Sequence, residues 1–501
     1  VGGFFWVCGA YFCSINVLKK TRFYAAPDSK NVLCFQPADG LAVCPHHFVS
    51  GLFHFEMDIY ITYICNLTLV KSSEMAKSIK TPGVYIQETS AFPGDIAPIA
   101  SAVPAFVGYT NKAVLNGKDA TNIPVRVHSL LEFESFFGGA FYPVKDLKKN
   151  VVQVSKPAAA AGRFFLYHSL ELYFANGGTD CYIVSVGNYS ATPSVNDFFD
   201  KPDAGAIRTE KAKGIDVLLQ ENEPTLLVVP DAMSLPVSEC FTLQRYMLAH
   251  CAQAGDRFAI LDVPGGDQAR TLDADDVITV FRNNLHDNLK WGAAYYPWLH
   301  SAFLAGQPSD LMPPSGAIAG IYCMTDQQQG VFKAPANVSL NSVSSVAVPI
   351  SDHQQEDLNT PLDGKAVNAI RAFTGRGILV WGARTLDGNS QDWRYVPVRR
   401  TVLYIEESIK NMLQSYALGA NTSATWIAVK SIIANFLTQF WQQGGLLGAK
   451  PDDAFFVQVG LGITMTEQDI RDGFMNVTVG MAVTRPAEFV VVTMTQQMAQ
   501  G

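Results

Sequence analysis

From Thr225 to Asp262 the sequence alternates between two kinds of stretch that a single layer cannot satisfy. Thr225-Leu226-Leu227-Val228-Val229 is apolar after its first residue and stops at Pro230-Asp231. Ser238 to Ala252 has helical spacing, and Phe258-Ala259-Ile260-Leu261 is apolar again and ends at Asp262. A strand with no polar face needs cover on both sides, and a helix between two such strands returns the chain to the start of the sheet. The alternation therefore predicts a mainly parallel sheet with helices on its faces.

Segments on either side extend the pattern. Ala102 to Tyr109 reads as a strand, and Val125 to Gly138 as a strand then a helix, with Ser129 as cap and Glu132 three residues on. Leu166 to Ala175 reads as a helix stopped by Asn176-Gly177-Gly178, followed by a buried strand from Cys181 to Val186. Lys290 to Trp298 gives an aromatic strand, and Pro313 to Gly320 a turn into apolar structure. The polar stretch from Asn188 to Lys213 predicts a surface insertion, and the Ser/Asn/Gln-rich stretch from Ser339 to Pro361 a connector with a domain boundary near its end.

Beyond that boundary, Gly375 to Lys410 predicts two strands, around Ile378-Val380-Trp381 and Trp393 to Val396, then a helix with Val402, Ile405, Ile409, Met412 and Tyr416 inward and Glu406, Glu407 and Lys410 in water. A second helix is expected over Asn421 to Gln443, then strands over Phe455–Thr464, Phe474–Val483 and Glu488–Thr495. At 501 residues, 48% hydrophobic and 16% charged, the chain can fill two or three cores.

Chemistry is hard to find. A net charge of −8 without a polybasic run argues against a nucleic-acid partner, because phosphates demand a basic face. Five of nine cysteines precede Met75 and the rest are scattered without ligand spacing, so neither zinc nor a disulfide framework is expected, and isolated thiols suit a reducing cytoplasm. Asp231 and Asp262 follow strand ends, where α/β enzymes place carboxylates; the plainer reading is that they cap neighbouring backbone. Asp273, Asp275 and Asp276 complement the helix beginning at Val277 more readily than they bind metal. Ser315 lies outside any GxSxG elbow and the histidines sit singly; Gly444 to Lys450 has the wrong spacing for a phosphate loop. No catalytic residue, cofactor or metal is expected.

The order Gly377-Ile378-Leu379-Val380-Trp381-Gly382-Ala383-Arg384-Thr385-Leu386, then Trp393-Arg394-Tyr395-Val396 and Arg399-Arg400, resembles the opening of the C-terminal domain of contractile tail sheath proteins, found in phage tails, tailocins and extracellular contractile injection systems. Thr81-Pro82-Gly83-Val84-Tyr85-Ile86-Gln87-Glu88 and Ala102 to Thr110 resemble sheath segments at the other end, so the likeness runs from about Thr81 to about Gln496. It implies an α/β fold: a mixed-sheet sheath domain, subtilisin-like in fold but non-enzymatic, an α+β C-terminal sheath domain, and extended N- and C-terminal β arms. An active subtilisin-like or other α/β hydrolase is the rival.

The expected division is 1–74 as either upstream sequence outside the natural protein, which would then start at Met75, or an unassigned segment; 75–100 as the N-terminal arm; 101–363 as the α/β domain; 364–485 as the C-terminal domain; and 486–501 as the C-terminal arm. Val84, Tyr85, Ile86 and Glu88 at one end, and Glu488, Phe489, Val490, Val491 and Val492 at the other, are the expected arm residues, each run led by a proline that suits an edge strand. Head-to-tail donation of both arms does not close and gives a helical tube, held by about 5–10 kcal/mol if each ladder bond contributes about 0.5–1.5 kcal/mol. Pivots are expected at Lys77-Ser78-Ile79-Lys80 with Gly83 and at Thr484-Arg485-Pro486.

The resemblance also implies partners: further copies in a helical sheath, including any paralogues, an inner tube protein, and baseplate and terminator proteins, with no nucleic acid and no membrane insertion. Glu406, Glu407, Lys410, Glu467, Asp469 and Arg471 are the candidates for facing the tube. Assembly is expected in the cytoplasm, as part of a virion or phage-tail-like particle released by lysis.

Overall fold

The computed structural model describes residues 23–25, 33–35, 100–141, 163–200, 212–307 and 309–488. The chain divides into two units, Val1–Thr81 and Pro82–Gly501. In the first, Phe23–Ala25 pairs antiparallel with Leu33–Phe35.

The centre of the second unit is a nine-stranded sheet in the order Val338–Ser339, Gly377–Val380, Asn368–Phe373, Gly292–Tyr296, Phe258–Asp262, Leu226–Val228, Pro104–Thr110, Cys181–Asn188, Val125–Val127. The six strands from Asn368–Phe373 to Cys181–Asn188 run parallel, and antiparallel strands finish both edges. All seven residues of Pro104–Thr110 are buried, as a doubly covered strand requires. The Val237–Ala254 helix packs on the Phe258–Asp262 strand, while Leu166–Ala175 and Ser315–Gln329 pack against each other. Two glycines allow that crossing: a Cβ on Gly316 would stand 2.3 Å from the Ser169 carbonyl oxygen, and one on Gly320 2.5 Å from that of Tyr173.

A second, smaller core joins Ile405, Ile409 and Leu413 to Val429, Ile433, Leu437 and Phe440, with Val331 and Phe332 reaching in from just after the Ser315–Gln329 helix. One helix serves both cores. Val396–Leu413 gives Val396 and Leu403 to the large core and Ile405, Ile409 and Leu413 to the small one. The Ser423–Gln442 helix and an antiparallel pair, Phe455–Val459 with Val477–Met481, complete the small core.

Several expectations change. The boundary drawn at 363/364 cuts a continuous sheet, because Asn368–Phe373 and Gly377–Val380 pair into it; the apolar division comes instead inside the Val396–Leu413 helix. The expected connector contains a strand, Val343–Val346, and a capped helix, Asp352–Asn359, whose sparse apolar residues gave no period to read. Trp393 to Val396 forms no strand: Tyr395 bridges Arg384 and the helix starts at Val396. Within the expected surface insertion, Val195, Phe198 and Phe199 are buried. Ser129 caps as expected, but Glu132 accepts from the amide of His128 rather than that of Ser129.

Candidate functional site

The arms are the expected working parts, and Val84, Tyr85, Ile86, Glu88, Phe489, Val490, Val491 and Val492 lie outside the described residues, as do 77–80 and Gly83. What the structure describes is how the body holds the two places from which such arms would leave.

At the C-terminal root, the chain leaving Val477–Met481 is tied down step by step. The Leu447 amide donates to the Ala482 carbonyl at 2.7 Å, Thr484 Oγ1 to the Gly444 carbonyl at 2.8 Å, and Arg485 Nη1 to the Gln391 carbonyl at 2.7 Å. The expected pivot at Thr484-Arg485-Pro486 is therefore bonded to the body through its first two residues. Glu488 follows, and its carboxylate accepts from Arg384 Nε at 2.9 Å, Arg384 Nη2 at 2.6 Å, Asn359 Nδ2 at 2.7 Å and the Tyr395 hydroxyl at 3.1 Å. Burial pushes this carboxyl up, but the Arg384 and Asn359 hydrogen bonds outweigh it and hold the group below the ordinary carboxylate range.

Arg384 is itself fixed. Its third guanidinium nitrogen, Nη1, donates to the Gly388 carbonyl at 2.9 Å, and the Asn368 side chain holds its backbone from both sides, accepting from the Arg384 amide and donating to the Arg384 carbonyl, each at 2.7 Å. Gly382 makes room, since a Cβ there would sit 2.7 Å from Asn368 Oδ1. Such a two-pronged arginine–carboxylate pair sets direction as well as distance.

The N-terminal root has the same design. Arg400, 3% exposed, donates to both oxygens of Asp326 at 2.9 and 2.7 Å and to the Ser101 carbonyl at 3.0 Å. Ser101 Oγ donates to Asp326 at 2.6 Å, and Thr225 Oγ1 donates to the Ser101 carbonyl and accepts from the Val103 amide. Both arginines come from the Gly375–Lys410 stretch. In the sequence they carry no mark of this role beyond their place in the sheath-like spelling; the available signal was their apolar neighbours, Ala383 and Leu386 for one, Val398 and Val402 for the other, since a buried guanidinium needs a carboxylate.

The carboxylates at strand ends are structural. Asp231, completely buried, accepts from the amides of Tyr109, Phe165 and Leu166, and burial raises its carboxyl to about 6 against those bonds. Asp262 accepts from the Ser315 amide at 2.8 Å and hydroxyl at 2.6 Å, and burial raises it to about 7. They anchor the starts of the Leu166–Ala175 and Ser315–Gln329 helices. Ser315 is completely buried and its hydroxyl is committed to Asp262. His250, pushed down to about 3 by burial and the neighbouring Arg257 charge, lies against Arg257. Asp276 caps Val277–Asn284 and pairs with Arg270. Among the described residues there is no metal-ligating cluster and no helix long and apolar enough to cross a membrane.

The six expected tube-facing residues fall on two elements. Glu407 is 5% exposed and paired with Lys410 at 2.8 Å, so it does not stand in water; the helix carrying it is covered by two cores rather than one, and its polar face is narrower than a single stripe suggests. Glu406, on the same helix, is half-buried. Glu467, Asp469 and Arg471 lie on the short, exposed Glu467–Arg471 helix, where Thr466 is the N-cap, the Asp469 carboxylate accepts from the Thr466 amide and hydroxyl, and Arg471 faces Glu467 at 3.4 Å.

Residues 219–386 match the phage tail sheath protein central domain family, and residues 389–497 the phage tail sheath C-terminal domain family. No curated protein matches the chain. Among solved structures, the sheath complex of PVC, an extracellular contractile injection system, in the contracted state is 31% identical with a TM-score of 0.60, covering 84% of this chain and 99% of that one. The helical sheath of the anti-feeding prophage in the contracted state is 32% identical with a TM-score of 0.61, covering 84% and 100%. A chain from the anti-feeding prophage baseplate structure is 33% identical with a TM-score of 0.58 over the same shares. With about a third of its residues shared along almost the whole length of these relatives, the chain belongs to the contractile tail sheath family and is a structural subunit of a contractile sheath.

Proposed function

We propose that this subunit polymerises helically around an inner tube, is held extended by a baseplate, and shortens to drive the tube through a target envelope, with the exchange of terminal arms keeping neighbours joined. The observation that carries the reading is the antiparallel pair Phe455–Val459 and Val477–Met481: among the described residues it is a two-stranded sheet, so each strand offers one open edge to a strand from another copy. Residues 75–100 and 486–501, each with a β-prone run, are the proposed donors. The contracted state of two relatives supports the mechanical part, and a relative from a baseplate structure supports the baseplate as a partner.

On this reading the work of contraction comes from burial of new interface between copies as bodies turn about their arms, without nucleotide, cofactor or catalysis. Ser315 and Asp262 hold a helix start and carry out no hydrolysis. Tube docking falls to the C-terminal domain, with Glu467, Asp469 and Arg471 favoured over the half-buried Glu406 and the inward-paired Glu407 and Lys410. Inner tube and terminator proteins complete the particle, which assembles in the cytoplasm and leaves by lysis. Deletion of Phe489–Gly501 tests the arm: the truncated chain should stay folded and fail to form tubes. Normal tubes from it would refute arm exchange at this end.

A further inference from the structure

We propose that Arg384 and Arg400 are the positioning residues of the two arms, each pinning the base of one arm to the body so that tension on either arm is delivered to a single packed stretch. This rests on the arm reading above and adds to it the groups that aim the arms.

The geometry carries the assignment. Glu488 is the meeting point of a two-pronged guanidinium, an amide and a phenol, four hydrogen bonds on one side chain, which fix both its position and its direction. Its arginine is held in turn by Asn368, which belongs to a strand of the central sheet, so the root is tied to the large core in two steps. Ser101 is held in the same manner by Arg400 and Asp326, the latter on the Ser315–Gln329 helix. The two arginines are joined by one short run, through the Arg384–Tyr395 bridge and the first turn of the Val396–Leu413 helix. A pull on either terminus therefore reaches the same element, and that element is the one shared by the large and small cores. Water would otherwise leave each root free to swivel, and an arm aimed at a distant edge would meet it less often.

The test uses the full chain, with tube yield read by sedimentation and tube geometry by negative-stain electron microscopy. Glu488→Gln keeps the side chain's shape and removes its charge. It should leave the dissociated subunit folded, with a melting temperature only slightly lowered at neutral pH, lower tube yield at a fixed concentration about tenfold, equivalent to about 1.4 kcal/mol, and make the segment after 488 cut faster by protease. Glu488→Asp, which retains the charge, should recover part of the yield, a recovery that a merely structural role would not produce. Arg384→Lys should behave like Glu488→Gln, and the double variant should be no worse than either single one. Wild-type yield and protection in Glu488→Gln, alongside failure of the chain lacking 489–501, would overturn the positioning role and leave arm exchange standing. Wild-type yield in both would overturn arm exchange itself.

Discussion

Arg400 and Asp326, each with a side chain only 3% exposed, make a demanding pair. Removing one partner strands the other's charge, so Arg400→Ala and Asp326→Ala should each cost about 3–5 kcal/mol in urea unfolding, while an apolar pair of similar volume in their place should cost far less. A loss below about 1 kcal/mol in both alanine variants would mean that water reaches the pair. The titrating groups act in opposite directions. Glu488 is held below its ordinary value, so its contribution is present above about pH 4.3 and is lost as the pH falls through the lower, folded value. Asp262, raised to about 7 by burial, contributes fully below its ordinary value and loses that contribution as the pH rises through about 7. Urea unfolding across pH should therefore show a shallower acid limb in Glu488→Gln and a flatter slope between about pH 4 and 8 in Asp262→Asn. Slopes identical to the parent chain's would remove these carboxyls from the account. None of this was readable from the sequence: Asp231 and Asp262 could be placed at strand ends, but their donors lie far away along the chain, at Tyr109, Phe165 and Ser315.

Elements were far more legible than partners. The parallel strands at Leu226–Val228 and Phe258–Asp262 and the helix between them stand where apolar runs and helical spacing put them, because burial on both faces leaves a strong mark on composition. Asp352–Asn359 escaped because a helix burying a single leucine, Leu358, leaves no period. Trp393 to Tyr395 looked like strand and is a turn, since its aromatic residues pack against Arg399 and Arg384 rather than along a ladder. The crossing of Leu166–Ala175 with Ser315–Gln329 gives a test at this scale. Gly316→Ala and Gly320→Ala press a methyl group on backbone carbonyls, and each should destabilise by about 1–3 kcal/mol although alanine favours the helix. Unchanged or raised unfolding midpoints would show that the two helices can move apart.

The described residues of the second unit form a large mixed-sheet body and a small core that share one helix, with Ser101 and Glu488 held by arginines from the run preceding and opening that helix. Sequence pattern predicted two cores but set their border at 363/364, because a polar stretch looked like a linker; the border the packing makes lies within a helix and has no compositional mark. The overall role was legible through ordered spellings such as Gly377 to Leu386, whereas the roots were not, since a clamp is a relation between residues 104 positions apart. The account's central claim is that copies of this chain join into an open helical array. Electron microscopy of the purified full chain over rising concentration tests it most directly: hollow tubes of uniform width and helical repeat are the predicted result, and a chain that stays monomeric at the highest concentration would contradict it.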